Sequence, residues 1–332
     1  MGVIAEDPSA LILVVHQQGQ PMRSTGVHHI TAMASDAQQN RDFYEGLLGL
    51  RLVKITVNFD DPGMYHLYYG DGMGSPGTIL TFFPIPGLPK GAPGSGAVTS
   101  IALAIPQGAT PFWQARCTAR GLAVAPLVRD GAQSGIAIRD PDGLTLTLVE
   151  TEAVVAAAVW EQRVPSSVAI QGVEGIDIAS RALTASVAAF DAWLGYAGAD
   201  GECVGARGTA GGVVRLHDGA DLPRARMGAG TVHHIAFRTA DAQEQIAWHT
   251  HVTMAGGYPT PVQDRDYFTS IYFREPGGVL LEIATDPPGF ARDESPEHLG
   301  EALRVPEWLA PHLAQIEEHL TPLHPAPMIG GE

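Results

Sequence analysis

Apolar and polar residues alternate along many short stretches of this chain, and helical spacing follows the first strand of each group. Strict alternation marks strands with one face buried. Strands are expected near Leu52–Val57, Tyr65–Tyr69 and Thr78–Phe83, with the turn Asp60-Asp61-Pro62-Gly63 between the first two. Ahead of them, Ser35 or Asp36 can cap a helix running to about Leu48, with Phe43 and Leu47 facing the sheet and Gly49 as its stop. The same order recurs three times. A second strand at Val98–Ile105 precedes a helix holding Phe112, Ala115 and Ala119, and the turn DPDG opens a strand within 140–150. A third strand near Ile176–Ala179 precedes a helix with Phe190, Trp193 and Leu194, followed by the Gly-rich stretch Cys203–His217. The fourth unit has a capping-box-like start at Asp241 and Glu244, a helix ending at Gly256-Gly257, and strands near Ser270–Phe273 and Val279–Ala284. The units align on Ile30, Ile101, Ile176 and Ile235. An Ala-rich connector, Ala153–Trp160, joins the halves, and the Pro-rich tail Pro287–Glu332 carries one amphipathic helix near Ala310–Leu320. That tail is expected to pack on the body or on a partner chain.

The first and last units share more than a rhythm. VHHITAMASD at 27–36 returns as VHHIAFRTAD at 232–241. Successive strand side chains point to opposite faces. In the later copy His233, Ile235 and Phe237 share one face, while His234, Ala236 and Arg238 share the other. In the earlier copy Ile30 lies opposite His29, Thr31 and Met33. Parity therefore selects His29 and His234 as a functional pair and puts His28 and His233 off the cavity face, at its rim. Ser100 and Gly175 stand at the equivalent positions of the inner units. The closing strands align as well. Glu282 falls at the place of Thr147 in the second unit and Thr81 in the first. A carboxylate on an apolar strand costs several kcal/mol unless it is paired or holds a metal. Two imidazoles and a carboxylate suit a metal with open positions for substrate and O₂, although zinc hydrolysis accepts the same set.

Composition narrows the partners. The formal net charge of −16 argues against nucleic acid and against an anionic membrane surface. Cys117 and Cys203 are isolated, which reads as a reduced, cytoplasmic home. The apolar run Ala10–Val15 is too short to span a bilayer. Residues 1–24 read as a disordered or extended N-terminus, with Met22 as an alternative start.

The segments VHHITAMASD, TVNFDDPGMYHLYYGD (56–71), GTILTFFP (77–84), VHHIAFRTAD, DRDYFTSIYFREPGGVLLEIATDPPGF (264–290) and EALRVPEWLAPHLAQIEEHL (301–320) resemble one known group. It is the hydroquinone-dioxygenase group of the vicinal oxygen chelate, or glyoxalase, superfamily, and these segments span most of the chain. The resemblance implies an α+β fold of four βαβββ modules paired into two open-barrel domains. The expected division is an N-terminal domain at 25–152, a C-terminal domain at 165–288, and a tail at 289–332 with one helix. It implies an extradiol-type, non-haem iron dioxygenase that inserts O₂ into a hydroquinone- or catechol-type ring. Fe(II) is the implied cofactor, with Mn(II) the alternative. A small aromatic and O₂ are the implied partners, and a homo-oligomer is compatible. The family's metal ligands fall on His29, His234 and Glu282, and its outer and substrate-contacting positions fall on His28, Thr31, His233, Arg265 and Tyr272.

Other readings stand beside these. A glyoxalase-like lyase or isomerase normally takes a fourth ligand, where this chain has Thr81. A thiol transferase of the fosfomycin-resistance type has about half this length. A ligand-sequestering protein without catalysis has no need of all three ligands. His66 lies on a strand among tyrosines and either lines the pocket or is structural. His249 and His251 read as surface residues, and the acidic stretch Asp293–Glu301 reads as a solvated face.

Overall fold

The computed structural model describes residues 22–129, 132–151, 158–199, 202–205 and 210–328. The expected N-terminal extension through residue 21 and most of the connector Ala153–Trp160 lie outside the described residues. The first module comprises β1 (Val27–Ala34), α1 (Ala37–Arg41), β2 (Arg51–Asn58), β3 (Asp61–Gly70) and β4 (Ile79–Pro84). The second comprises β5 (Ala97–Pro106), α2 (Thr110–Ala119), β6 (Ala125–Arg129), β7 (Ala132–Arg139) and β8 (Thr145–Thr151). The third has β9 (Gly172–Ser180), α3 (Leu183–Leu194) and the shorter β10 (Ala197–Ala199), β11 (Glu202–Val204) and β12 (Val213–Asp218). The fourth has β13 (Val232–Thr239), α4 (Ala242–Met254), β14 (Gln263–Asp264), β15 (Thr269–Arg274) and β16 (Leu280–Thr285). In the tail, α5 spans Leu313–His319. The four βαβββ modules are those the pattern predicts.

Their pairing does not follow the halves of the chain. One eight-stranded sheet runs β14-β15-β16-β13-β1-β4-β3-β2, and the other runs β10-β11-β12-β9-β5-β8-β7-β6. The first and fourth modules share the first sheet, and the second and third share the other. The ranges 25–152 and 165–288 thus describe module order along the chain, not the membership of either sheet. The aligned isoleucines meet at both junctions: Ile30 pairs with Ile235, and Ile101 with Ile176. All four are buried. The junction strands are antiparallel, so each pair of modules is related by a local twofold rotation. That rotation brings the two VHHI segments together.

Local chemistry sets the helix ends. Asp36, not Ser35, caps α1, its carboxylate accepting from Gln39 N at 2.7 Å. Ser35 instead donates to Asp142. The helix continues as a π-type turn over Asp42–Leu47, which buries Phe43, Tyr44 and Leu47. Asp241 accepts from Glu244 N at 2.8 Å, while the Glu244 carboxylate reaches back to Ala240 N at 2.7 Å. The helix at Phe112, Ala115 and Ala119 forms as α2, and it buries Trp113 and Cys117 while Ala115 and Ala119 are exposed. Trp113 also needs a partner for its indole N–H and finds Val168 O at 2.8 Å. The turn between β2 and β3 occupies residues 59–60, and Asp61 already begins β3. The tail packs on the body, with Ile316 and Leu320 buried and Tyr65 Oη donating to Thr321 O at 3.1 Å. No helix among the described residues is long and apolar enough to cross a membrane.

A buried carboxylate ties the first module to the second. Tyr44 donates to Asp140 Oδ2 at 3.0 Å, and Leu144 N donates to Oδ1 at 2.8 Å. Burial pushes the Asp140 carboxyl up from 3.8 to about 6. The folded state therefore holds this proton more tightly than the unfolded chain does. The resulting stability is present below pH 3.8 and is lost as pH rises through about 6. Asp140→Asn removes this slope. Its stability relative to wild type improves by roughly 3 kcal/mol between pH 4 and pH 7, about 1.4 kcal/mol per pKa unit. Urea midpoints of both proteins across that range check this, and a difference independent of pH contradicts it.

Candidate metal centre

Three side chains converge where β1, β13 and β16 lie side by side in the first sheet. His29 stands on β1, His234 on β13 and Glu282 on β16. The strand register puts them there. Thr31 pairs with His234 across the antiparallel junction, and Ala236 pairs with Glu282 on the parallel neighbour. In the other modules Thr31 pairs with Thr81, Ala102 with Thr147 and Asp177 with Arg215. Glu282, Thr81, Thr147 and Arg215 thus occupy one equivalent rung, as the sequence alignment places the first three. Only the fourth module has a carboxylate at this position of its closing strand.

The Nε2 atoms of His29 and His234 lie 3.3 Å apart. Glu282 Oε2 is 2.9 Å from His234 Nε2 and 3.5 Å from His29 Nε2. One atom from each residue falls within 4.8 Å of the others, the single such group found among the described residues. Glu282 is fully buried and His29 and His234 nearly so. In the second sheet the matching place is occupied by Ser100, which donates to Asp177 Oδ2 at 2.6 Å.

Both His29 and His234 are braced from behind. His28 Nδ1 lies 2.9 Å from His29 Nδ1, and His233 Nδ1 lies 2.7 Å from His234 Nδ1. Each contact needs a proton on one nitrogen. When the ligand histidine carries it on Nδ1, its Nε2 lone pair faces the centre. Burial pushes the His28 ring well below its usual pKa and pulls His233 down to about 4. Neutral rings of this kind can accept the Nδ1 proton. The brace fixes tautomer and ring orientation, as outer partners of metal-bound histidine do. Burial also lowers His234. Burial alone would raise the Glu282 carboxyl, but the His29 and His234 rings outweigh it and leave it well below the carboxylate range.

A cation fits this donor set. Glu282 Oε2 is buried, lies against the two imidazole nitrogens and accepts no other hydrogen bond among the described residues. With both ligand histidines protonated on Nδ1, the centre holds two imidazole lone pairs and a carboxylate oxygen with no proton between them. Such a cluster is repulsive until a positive charge enters. Ser270 Oγ donates to the other carboxylate oxygen, Oε1, in a short contact that fixes the Glu282 rotamer. Ser270→Ala removes that hold. Metal affinity is expected to fall by about 10- to 100-fold, while the metal-free protein loses only about 1 kcal/mol. Metal titration alongside thermal melts separates the two, and unchanged affinity would exclude the positioning role.

The centre opens into a cavity of about 340 Å³. His29, His234, His233, Arg265 and Tyr272 line it, with Phe83, Ile85, Met33 and Leu280 as apolar wall. Arg265 donates to Tyr272 Oη at 3.1 Å and to Gln263 Oε1 at 2.6 Å, and pairs with Asp60 at 3.1 Å. Burial, together with the Glu282 charge, raises the Tyr272 phenol far above neutral pH. It is therefore a hydrogen-bond donor.

The expected rim positions of His28 and His233 need correction. The register slips by one residue at each, so both are β-bulges. A bulge interrupts alternation and swings the extra side chain beside its neighbour. His233 consequently lines the cavity itself. His28 is buried behind His29, beside a smaller pocket of about 190 Å³. Thr31 is fully buried beneath the cavity wall, 3.0 Å from Thr81 Oγ1. Ser270 and Phe268 were not singled out by the sequence reading. Ser270 shares strand parity with Tyr272, which was the available signal. The Phe268 ring lies 5.0 Å from that of His29.

Comparison with known proteins follows the same outline. A model of the glyoxalase/bleomycin resistance protein/dioxygenase superfamily matches residues 26–148 and 173–283. MhqO of Bacillus subtilis (strain 168), by name a proposed ring-cleaving dioxygenase, is 44% identical over 304 residues, covering 90% of this chain and 97% of that protein. The chlorohydroquinone/hydroquinone 1,2-dioxygenase of Sphingobium indicum (strain UT26) is 33% identical over 315 residues, covering 90% of this chain and 96% of its own. A crystal structure of a proposed dioxygenase from Bacillus subtilis subsp. subtilis str. 168 superposes with a TM-score of 0.86 at 42% identity, covering 92% of this chain and 99% of that one.

Proposed function

The chain belongs to the glyoxalase/bleomycin resistance protein/dioxygenase superfamily, and on that premise we propose that it is an Fe(II)-dependent ring-cleaving dioxygenase acting on a hydroquinone- or catechol-type aromatic. The observation that carries this reading is the convergence of His29, His234 and Glu282 at the cavity. These three residues would hold the metal beside the cavity, and two imidazoles with one carboxylate are the donor set that suits joint binding of substrate and O₂. When bound, the metal supplies the electron transfer between ring and O₂ that closed-shell side chains cannot supply.

The chain's own groups do the rest. The apolar wall of Met33, Phe83, Ile85 and Leu280 takes the faces and edges of a flat ring and excludes bulk water. Tyr272 stays protonated and donates to an oxygen of the bound molecule, and Arg265, held on Tyr272 and Asp60, stabilises negative charge that develops there. His233 is neutral at physiological pH and is the nearest proton-accepting group to His234. Thr81 stands where a glyoxalase-like isomerase takes its fourth ligand, and its hydroxyl is engaged with Thr31 and His66. That weighs against such an isomerase.

Anaerobic purification, loading with Fe(II), and measurement of O₂ uptake with panels of hydroquinones and catechols tests the proposal. One O₂ consumed per ring opened is the expected result. No uptake with any aromatic diol, at one bound Fe(II) per chain, overturns it. Loading with Mn(II) in parallel identifies which metal supports turnover.

A further inference from the structure

The cavity has a second polar pole. Tyr68 and His66 on β3 line it together with the metal ligands. His66 stacks between Tyr68 and Phe83, at 4.1 and 4.2 Å between ring centroids. Its hydrogen bonds link Tyr68 to the strand rung that Thr31 shares with His234. Tyr68 Oη lies 2.9 Å from His66 Nδ1, and His66 Nε2 lies 2.7 Å from Thr81 Oγ1, which lies 3.0 Å from Thr31 Oγ1. Phe83 and Met33 line the same cavity.

The chain of hydrogen bonds has two proton arrangements. In one, Tyr68 donates to Nδ1 and His66 donates from Nε2 to Thr81, which leaves Tyr68 Oη with an open lone pair. In the other, every donor reverses. Thr81 donates to Nε2 and His66 donates from Nδ1 to Tyr68, whose own hydrogen then has no acceptor among the described residues. Either way one further hydrogen-bonding position remains open on Tyr68 Oη, and the residue is 1% exposed on a cavity wall. A buried phenol of that kind calls for a partner from the ligand. A hydroxyl meets both cases, since it can donate or accept.

Resting on the ring-cleaving reading above, we propose that Tyr68 holds the ring oxygen that is not on the metal, with His66 as the residue that positions it. Burial keeps the His66 ring neutral, pushing its pKa well below the usual value, which both proton arrangements require.

Anaerobic dissociation constants of hydroquinone and phenol, measured by calorimetry on the metal-loaded protein, test this without turnover. Phenol lacks the second oxygen. The wild type is expected to prefer hydroquinone by about tenfold, the worth of one buried hydrogen bond. Tyr68→Phe, which keeps the ring, abolishes the preference and leaves phenol affinity unchanged. His66→Gln narrows the preference without removing it. An unchanged ratio in Tyr68→Phe, or equal weakening of both ligands, overturns the assignment alone. Failure of the wild type to bind either compound overturns the assignment and the ring-cleaving reading together.

Discussion

Glu282→Gln is expected to abolish metal-dependent stabilisation and turnover while leaving the fold intact. The side chain is 0% exposed, so its charge has been taken fully out of water. Its Oε2 atom faces two imidazole nitrogens and accepts no other hydrogen bond among the described residues. Replacing the carboxylate with an amide keeps volume and the Ser270 contact but removes the negative charge that a divalent ion needs. The loss should exceed the roughly 10- to 100-fold that removal of an outer partner costs. Thermal melts with and without metal read this directly. Metal at about 100 times its dissociation constant stabilises the wild type by about 2.7 kcal/mol, and the variant shows no such gain. Its metal-free melt stays close to wild type, because a neutral group is easier to bury than a carboxylate. Glu282→Asp recovers part of the metal response, since charge returns at a shorter reach. A variant that still gains the full metal shift would remove Glu282 from the centre.

Much of this centre is legible in the sequence because strand parity and repetition are strong constraints. A side chain on a strand has two choices of face, and the duplicated VHHI motif makes the same choice twice. Aligning Ile30 with Ile235 fixes which rung of the closing strand faces the ligands, and Glu282 stands on it. The bulges at His28 and His233 were not legible. Alternation assumes one residue per rung, and nothing in Val-His-His-Ile distinguishes a bulged histidine from a regular one. The pairing of the first module with the fourth follows only from asking where both ligand histidines can meet. Local pattern describes each module equally well in either pairing. On α2, Phe112 and Trp113 compete for the buried face, and the packing of the third module's approach, through Val168 O, decides it.

The acidic stretch after residue 292 shows where charge counting fails. Asp293–Glu301 looks like a solvated face, yet Glu294 is 1% exposed and bonds Lys54, which is 0% exposed. Lys54 also pairs with Asp293 at 2.5 Å. The signal was Lys54 itself, a cation in the middle of the strand RLVKITVN, of which every residue but Asn58 is buried. A buried ammonium requires a partner, and the sequence offers acids in the tail.

Lys54→Met is accordingly expected to produce the largest loss of stability of any single change outside the metal centre. Removing one member of a buried pair strands the other, at a cost of about 3 to 5 kcal/mol. Arg304 Nε, 3.6 Å from Glu294 Oε1, is half-exposed and compensates little. Lys54→Met combined with Glu294→Gln should recover part of the loss, because the amide removes the unpaired charge. The damage reaches the cavity. Tyr267 stacks beneath Lys54 Nζ at 4.9 Å and donates to Asp293 at 2.9 Å. The same short loop carries Asp266, with φ of 65° and a salt bridge to Arg292, and presents Arg265 and Phe268 to the cavity. Loosening Tyr267 therefore blurs the placement of both. The expected signature is a lower melting temperature together with a raised KM for the aromatic substrate, and little change in metal content. Stability within about 1 kcal/mol of wild type would mean that water already solvates the ammonium. A stability loss with unaltered KM would confine the ion pair to holding the tail.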